Sequence, residues 1–172
     1  MDYLKQFVIP YVGLSAGSHQ FDFIIDDKFF ASFEYSEIKT ANVQVKLDLN
    51  KTERMLILNF SMSGTIRTAC DRCLDEFDYP VEGREEYFIK FGSAHFEEDD
   101  NVLVIAENET HIDIAQLVFD YVNLLLPFKV VHPDDENGNS QCDPEVLKQI
   151  EQHKVHDEID NRWDKLKDLT IE

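Results

Sequence analysis

The chain has 172 residues, of which 43 % are hydrophobic and 12 % aromatic, enough to bury one good core or two small ones. Its 35 acidic and 16 basic residues give a net charge of −19 at pH 7, which repels exposed phosphates, so any direct RNA contact must be local. We see no secretory signal and no apolar run long enough for a membrane span, and we therefore expect a cytoplasmic, reducing location.

β-Strands with period-two hydrophobic alternation are predicted for most of residues 1–91. Val43, Val45 and Leu47 alternate with polar residues, so a strand there has one face to bury. The polar residues 50–55 are typical of a hairpin connection, and an antiparallel sheet is the expected result. The predicted strands span residues 5–14, 20–25, 41–49, 55–66 and 81–91.

A helix is predicted after the sheet, because apolar residues from Ile114 to Leu125 recur at helical spacing. Asp113 lies near its expected start, where a carboxylate can accept hydrogen bonds from the first N–H groups. Pro127 ends the helix. We expect its apolar face to cover the sheet.

Short segments surround this helix. An acidic segment at 97–100 precedes a short apolar strand at 102–106. Residues 132–143 are polar, acidic and rich in turn-forming residues, which predicts a mobile surface loop. Pro144 is well placed as the first residue of a short helix, and a final helix begins at about residue 161.

Together these elements predict an α+β fold class. The expected architecture is an antiparallel β-sheet, open or barrel-like, with one covering helix and short C-terminal helices. We expect a single domain over residues 1–172, in which 1–91 is mainly β and 92–172 supplies a strand, the helix, the acidic loop and a helical tail.

The spacing Cys70-Asp-Arg-Cys73 brings two thiols close enough to share a soft metal ion or a disulfide. Zinc is the candidate cofactor. A closed tetrahedral zinc site needs four ligands, and we expect Cys142 and His132 to be the third and fourth. Such a site would clamp the late loop to the β-sheet. Two alternatives stay open: reduced thiols that only pack, and redox catalysis. A redox pair should open a helix, whereas this pair follows a strand.

Two places are candidates for partner binding in a chain with few basic residues. Trp163 is the only tryptophan, and Arg162 and Lys165 lie beside it. An exposed aromatic ring there would stack on an unpaired base or fill a pocket of a partner protein, whereas a buried ring would dock the last helix on the core. Arg72, between the two cysteines, is the second candidate.

Catalytic motifs are not recognisable in the chain. It has no Gly-rich phosphate loop, no Gly-x-Ser-x-Gly elbow and no His-Glu-x-x-His helix. We therefore expect a protein that is not an enzyme. The alternative is a small metal-binding regulator or metal-dependent enzyme organised around Cys70, Cys73 and Cys142.

Three places in the chain resemble the YceD family, the large ribosomal RNA subunit accumulation proteins of bacteria and plastids. Cys70-Asp-Arg-Cys73-Leu74 is similar to that family's Cys-x-Arg-Cys-Leu signature. Leu124-Leu-Leu-Pro127, before an acidic loop that carries a cysteine, is similar as well. The tail Asn161-Arg-Trp-Asp-Lys-Leu-Lys167 resembles the family's closing Asp-Pro-Arg-Trp-x-x-Leu-Lys.

This resemblance implies support for 23S rRNA accumulation and large ribosomal subunit assembly. The implied partner is a ribosomal protein or a large-subunit assembly intermediate, with RNA contacted only locally or indirectly. Ribosomal proteins are basic, so the acidic runs 97–100 and 134–136 would steer such a partner. The chain departs from the family in two ways: Asn161 replaces a proline, and Cys142 stands alone where many relatives carry a second pair of cysteines. A four-thiolate site is therefore not expected.

Overall fold

The computed structural model describes residues 3–93, 96–99 and 101–153, and it has the predicted α+β fold class. The predicted final helix, with Arg162, Trp163 and Lys165, lies outside the described residues. Within the described ranges no helix is long and apolar enough to cross a membrane. In chain order the elements are β1 (Val8–Ile9), β2 (Gly17–Ile25), α1 (Asp27–Ala31), β3 (Ala41–Lys51), β4 (Met55–Ala69), β5 (Glu76–Gly92), β6 (Phe96–Asp99), β7 (Val102–Ala106), β8 (Ile112–Asp113), α2 (Ala115–Leu124) and α3 (Pro144–His153).

In the part of the chain that the structure describes, six strands form the main sheet in the order β2-β3-β4-β5-β7-β6. Strands β2 to β5 are successive antiparallel neighbours, β6 and β7 are also antiparallel, and β5 and β7 pair in parallel. The order leaves β2 and β6 at opposite edges, so the sheet is open rather than barrel-like among the described strands. Strands β1 and β8 form a separate antiparallel pair.

The predicted alternation on β3 is confirmed by burial. Val43, Val45 and Leu47 are almost completely buried, while the residues between them are exposed. The β3–β4 hairpin forms where the polar connection predicts it, and its register pairs Leu47 with the buried Phe60. One face of the sheet is therefore apolar and needs a cover.

The helix α2 supplies part of that cover, as its spacing predicts. Val118 and Val122 are fully buried, and the ring of Tyr121 lies 5.4 Å from the ring of Phe60 on β4, edge to face. At its start, Oδ1 of Asp113 accepts a hydrogen bond from the N–H of the first helical residue at 2.9 Å. The carboxylate thus acts at the helix start as predicted, which fixes where α2 begins.

The predicted strand at residues 5–14 is wrong, since most of this segment forms short 3-10 turns on either side of β1. Phe7, Ile9 and Tyr11 are buried at alternate positions, which produces the period-two pattern. Pro10, however, lacks the N–H that a continued ladder needs. The two turns span Tyr3–Phe7 and Tyr11–Gly13.

Helix α1 and strand β6 are among the elements that escape the sequence-based prediction. Helix α1 begins after Asp26, whose Oδ1 accepts hydrogen bonds from the N–H groups of Lys28 (3.0 Å) and Phe29 (3.2 Å). Strand β6 includes most of the acidic segment at 97–100, and it pairs with β7 in an irregular register. Both are short elements, and neither has a hydrophobic period long enough to be recognised.

Candidate metal centre

The Cys-x-x-Cys pair lies in the tight connection between β4 and β5. The N–H of Cys70 donates to the carbonyl oxygen of Asp75, and the N–H of Leu74 donates to that of Cys70, both at 2.9 Å. Leu74 has a φ of 66°, a left-handed conformation that residues other than glycine adopt rarely. These contacts turn the chain sharply, and both Cys70 and Cys73 are buried.

A second segment is fastened to this turn by Asp71. Its N–H donates to the carbonyl oxygen of Val130 at 2.8 Å, and its Oδ2 accepts the N–H of Val130 at 2.6 Å. The two residues therefore hold each other through both backbone and side chain. This pairing sets the start of the polar loop against the turn and brings His132 close to Cys73.

The polar loop then folds back so that Cys142 returns to the same place. Asp134 and Ser140 form an isolated antiparallel bridge, and Oδ1 of Asp135 accepts the N–H of Asn139 at 2.8 Å. Cys142 is only 2 % exposed. Composition alone indicates a surface loop here, yet local hydrogen bonds carry its cysteine into the interior.

Cys70, Cys73, His132 and Cys142 form a group that we call the Cys3His cluster. Their three sulfur atoms and one histidine nitrogen all lie within 4.8 Å of one another. The Sγ atoms of Cys70 and Cys142 are 3.7 Å apart, and Nδ1 of His132 lies 3.4 Å from Sγ of Cys73 and 3.7 Å from that of Cys142. Tetrahedral zinc, with Zn–S of about 2.3 Å and Zn–N of about 2.0 Å, requires ligand atoms roughly 3.5–3.8 Å apart. The donor set and its spacing therefore fit a tetrahedral zinc ion.

No disulfide competes with this arrangement, because all three cysteines are free. The 3.7 Å between the sulfur atoms of Cys70 and Cys142 is well beyond a sulfur–sulfur bond of about 2.05 Å. The three sulfur atoms are thus available as metal ligands.

An apolar shell surrounds the cluster. The ring of Phe77, on β5, stacks on the ring of His132 with centroids 4.2 Å apart. Val131, Val146 and Leu147 pack against the three cysteines, so the start of α3 contributes to the shell. Such packing fixes the orientation of the imidazole and limits the access of water to the ligand atoms.

Arg72 joins the two halves of the centre. Its backbone N–H donates to Sγ of Cys70 at 3.4 Å, and Nη1 of its side chain donates to Oγ of Ser140 at 3.1 Å. The same oxygen accepts the N–H of Cys142 at 3.3 Å. Arg72 is half-buried in this position, and its role in partner binding stays a prediction.

The protonation of the two turn cysteines differs. Burial favours the neutral thiol at Cys70, but hydrogen bonds from the backbone of Cys73, Arg72 and His132 outweigh it and lower the pKa of Cys70 to about 6. At Cys73 burial dominates and raises the pKa above its usual range. Cys70 is therefore largely thiolate at neutral pH, whereas a metal ion would have to displace the proton of Cys73.

All four predicted metal ligands are thus brought into one cluster. The residues that hold them in place were not predicted, above all Asp71 with its bond to Val130, and Phe77 with its stacking on His132. The sequence gives no signal for the contact between Asp71 and Val130, since the two residues are 59 positions apart. The predicted partner-binding residues Arg162, Trp163 and Lys165 lie outside the described residues.

The protein has an α+β fold with an open sheet, and a Cys3His cluster lies at the turn between β4 and β5. Four protein ligands of this kind are typical of a structural metal site rather than a catalytic one. The chain belongs to the family described as Large ribosomal RNA subunit accumulation protein YceD, whose model matches residues 58–170. The match begins within β4 and includes every ligand of the cluster, which confirms the family resemblance of the sequence. No curated protein and no solved structure gives a significant match to the chain.

Proposed function

We propose that this protein supports the accumulation of 23S rRNA and the assembly of the large ribosomal subunit in the cytoplasm, without catalysing a reaction. It would act as one domain that binds a basic ribosomal protein or a large-subunit assembly intermediate. The observation that carries this proposal is the family match over residues 58–170, since the family is described by large-subunit rRNA accumulation.

The charge of the chain supports a protein partner over naked RNA. The net charge is −19 at pH 7, and the acidic loop places Asp134 and Glu136 on the surface. A negative surface repels phosphate groups but attracts basic proteins, and it raises association rates more than final affinity. RNA contact would then be local or made through the bound partner.

The cluster supports a structural role for a bound metal ion. Cys70, Cys73, His132 and Cys142 would hold zinc, which would join the loop after α2 to the β4–β5 turn. Four protein ligands fill a tetrahedral shell, whereas catalytic zinc keeps one position open for water or substrate. The ligand set thus favours a clamp over a metal-dependent enzyme.

A metal-binding regulator is the second candidate function, and the buried Cys3His cluster is the observation that favours it. In that case the protein would act through binding or release of a metal ion at the cluster, and not through contact with a ribosomal particle. Assembly binding and regulation differ in where the protein resides, so a direct separation of ribosomal particles distinguishes them.

The expected result of such a separation is that the protein sediments with large-subunit precursors. A low-salt lysate containing the tagged protein would be run on a sucrose gradient, with and without ribonuclease, and every fraction probed for the tag. Low salt preserves contacts that depend on charge. Ribonuclease should abolish the co-migration because it dismantles the particle. A protein that stays at the top of both gradients would argue against stable particle binding.

A further inference from the structure

An apolar groove lies between α2 and the part of the sheet formed by β5 and β7. Its volume is about 620 Å³. Ile89, Leu103 and Ile105 line it from the sheet and Leu117 lines it from the helix. Ile89 and Ile105 are buried, but Leu103 and Leu117 are only half-buried. The groove therefore offers apolar surface that the described residues leave partly open.

Acidic side chains border the same groove. Asp113, just before α2, and Asp120, within it, both line the groove and are exposed. Among the described residues that line it, none is lysine or arginine. An apolar surface and a carboxylate border thus occur together.

We propose that this groove binds a short segment of a partner protein in which apolar side chains are flanked by lysine or arginine. The inference rests on the proposed function and deepens it, because it names the surface that a basic ribosomal protein would use. Apolar side chains of the segment would pack on Leu103 and Leu117. Its cations would meet Asp113 and Asp120, whose fields are complementary to them.

Other occupants fit this groove less well. RNA would bring phosphates against Asp113 and Asp120, which is unfavourable. A second copy of the chain in a two-fold contact would place two identical acidic borders against each other. A basic segment with apolar anchors is the chemistry that satisfies both the surface and its border.

Binding of a synthetic peptide to the full-length protein tests the proposal. The probe is a short fluorescent peptide with leucines flanked by lysines, titrated at low salt. The double variant Asp113→Asn, Asp120→Asn removes two charges but keeps an oxygen acceptor at each position, so the start of α2 retains its hydrogen bond. We expect this variant, and separately Leu117→Gln, to bind about tenfold more weakly than the wild type.

A matched control removes the same charge elsewhere. Asp22 on β2 and Glu53 in the hairpin turn are exposed and do not line the groove. Asp22→Asn, Glu53→Gln should therefore bind the peptide as tightly as the wild type. Equal weakening by this control pair would overturn the proposal, because the peptide would then sense only the total charge.

Two further outcomes would also overturn it. One is that a peptide with serines in place of leucines binds as tightly as the leucine peptide. The other is that the chain pairs with a second copy through this groove. Sedimentation with large-subunit precursors separates this inference from the proposed function. Particle binding that persists without peptide binding would refute the groove alone, whereas peptide binding without particle association would refute the proposed function.

Discussion

Replacing Cys142 with serine is expected to remove zinc from the protein and to lower its thermal stability. The loop brings Sγ of Cys142 to 3.7 Å from Sγ of Cys70 and from Nδ1 of His132. A serine hydroxyl is a poor replacement, because soft thiolates are the ligands that zinc takes in such sites. Changes beyond the direct ligands already lower metal affinity about 10–100-fold, so we expect the loss of a ligand to exceed 100-fold.

Zinc content by elemental mass spectrometry and thermal unfolding with and without a chelator measure this effect. The wild type should carry stoichiometric zinc and unfold at a lower temperature after chelation, since metal binding contributes directly to folding. His132→Cys is the matched ligand control, which should keep the metal because it supplies a fourth thiolate. Gln141→Ser changes an exposed neighbour of Cys142 and should change nothing. A wild type that takes up no zinc, or a Cys142→Ser protein that keeps it, would contradict the metal-clamp account.

The second large effect is expected for Gly64→Ala, which tests how closely β3 and β4 approach. A Cβ atom on Gly64 would clash with the carbonyl oxygen of Asn42 and lie 2.7 Å from Cα of Val43. Both obstacles are backbone atoms, so neither can rotate away and the two strands would have to separate. We expect a destabilisation of about 3 kcal/mol, at the upper end of what added core volume typically costs.

Thermal unfolding measures this change as a lowering of Tm by roughly 6–12 °C for a chain of this size. Gly13→Ala is the matched control, because a Cβ atom there would have no heavy atom within 4 Å. It should leave Tm within about 2 °C of the wild type. A Gly64→Ala protein as stable as the Gly13→Ala protein would show that β3 and β4 do not approach this closely.

Local patterns in the sequence predict the elements that have a long, regular period. The alternation on β3 and the helical spacing on α2 both follow from burial of one face, and burial confirms both. The 5–14 segment shows the limit of this reasoning, because alternate burial of Phe7, Ile9 and Tyr11 does not require a strand. Periodicity indicates which side chains are buried, whereas Pro10 decides what the backbone can do.

The hydrogen bonds and strand pairings that hold distant segments together are what the sequence could not predict. Cys-x-x-Cys spacing indicates two ligands with a physical reason. The return of His132, however, depends on the bond between Asp71 and Val130, and that of Cys142 on the hydrogen bonds within the polar loop. The parallel pairing of β5 with β7 has no local signal either, since β6 lies between them in the chain. That pairing creates the part of the sheet on which the groove lies. Both the candidate metal centre and the groove thus arise from topology.

The ratio of large- to small-subunit rRNA in cells depleted of this protein shows whether the protein supports rRNA accumulation. We expect depletion to lower this ratio, the wild type and Gln141→Ser to restore it, and Cys142→Ser not to restore it. An unchanged ratio after depletion would contradict the proposed role in rRNA accumulation. Full restoration by a Cys142→Ser protein shown to lack zinc would contradict the part that the Cys3His cluster is given in that role.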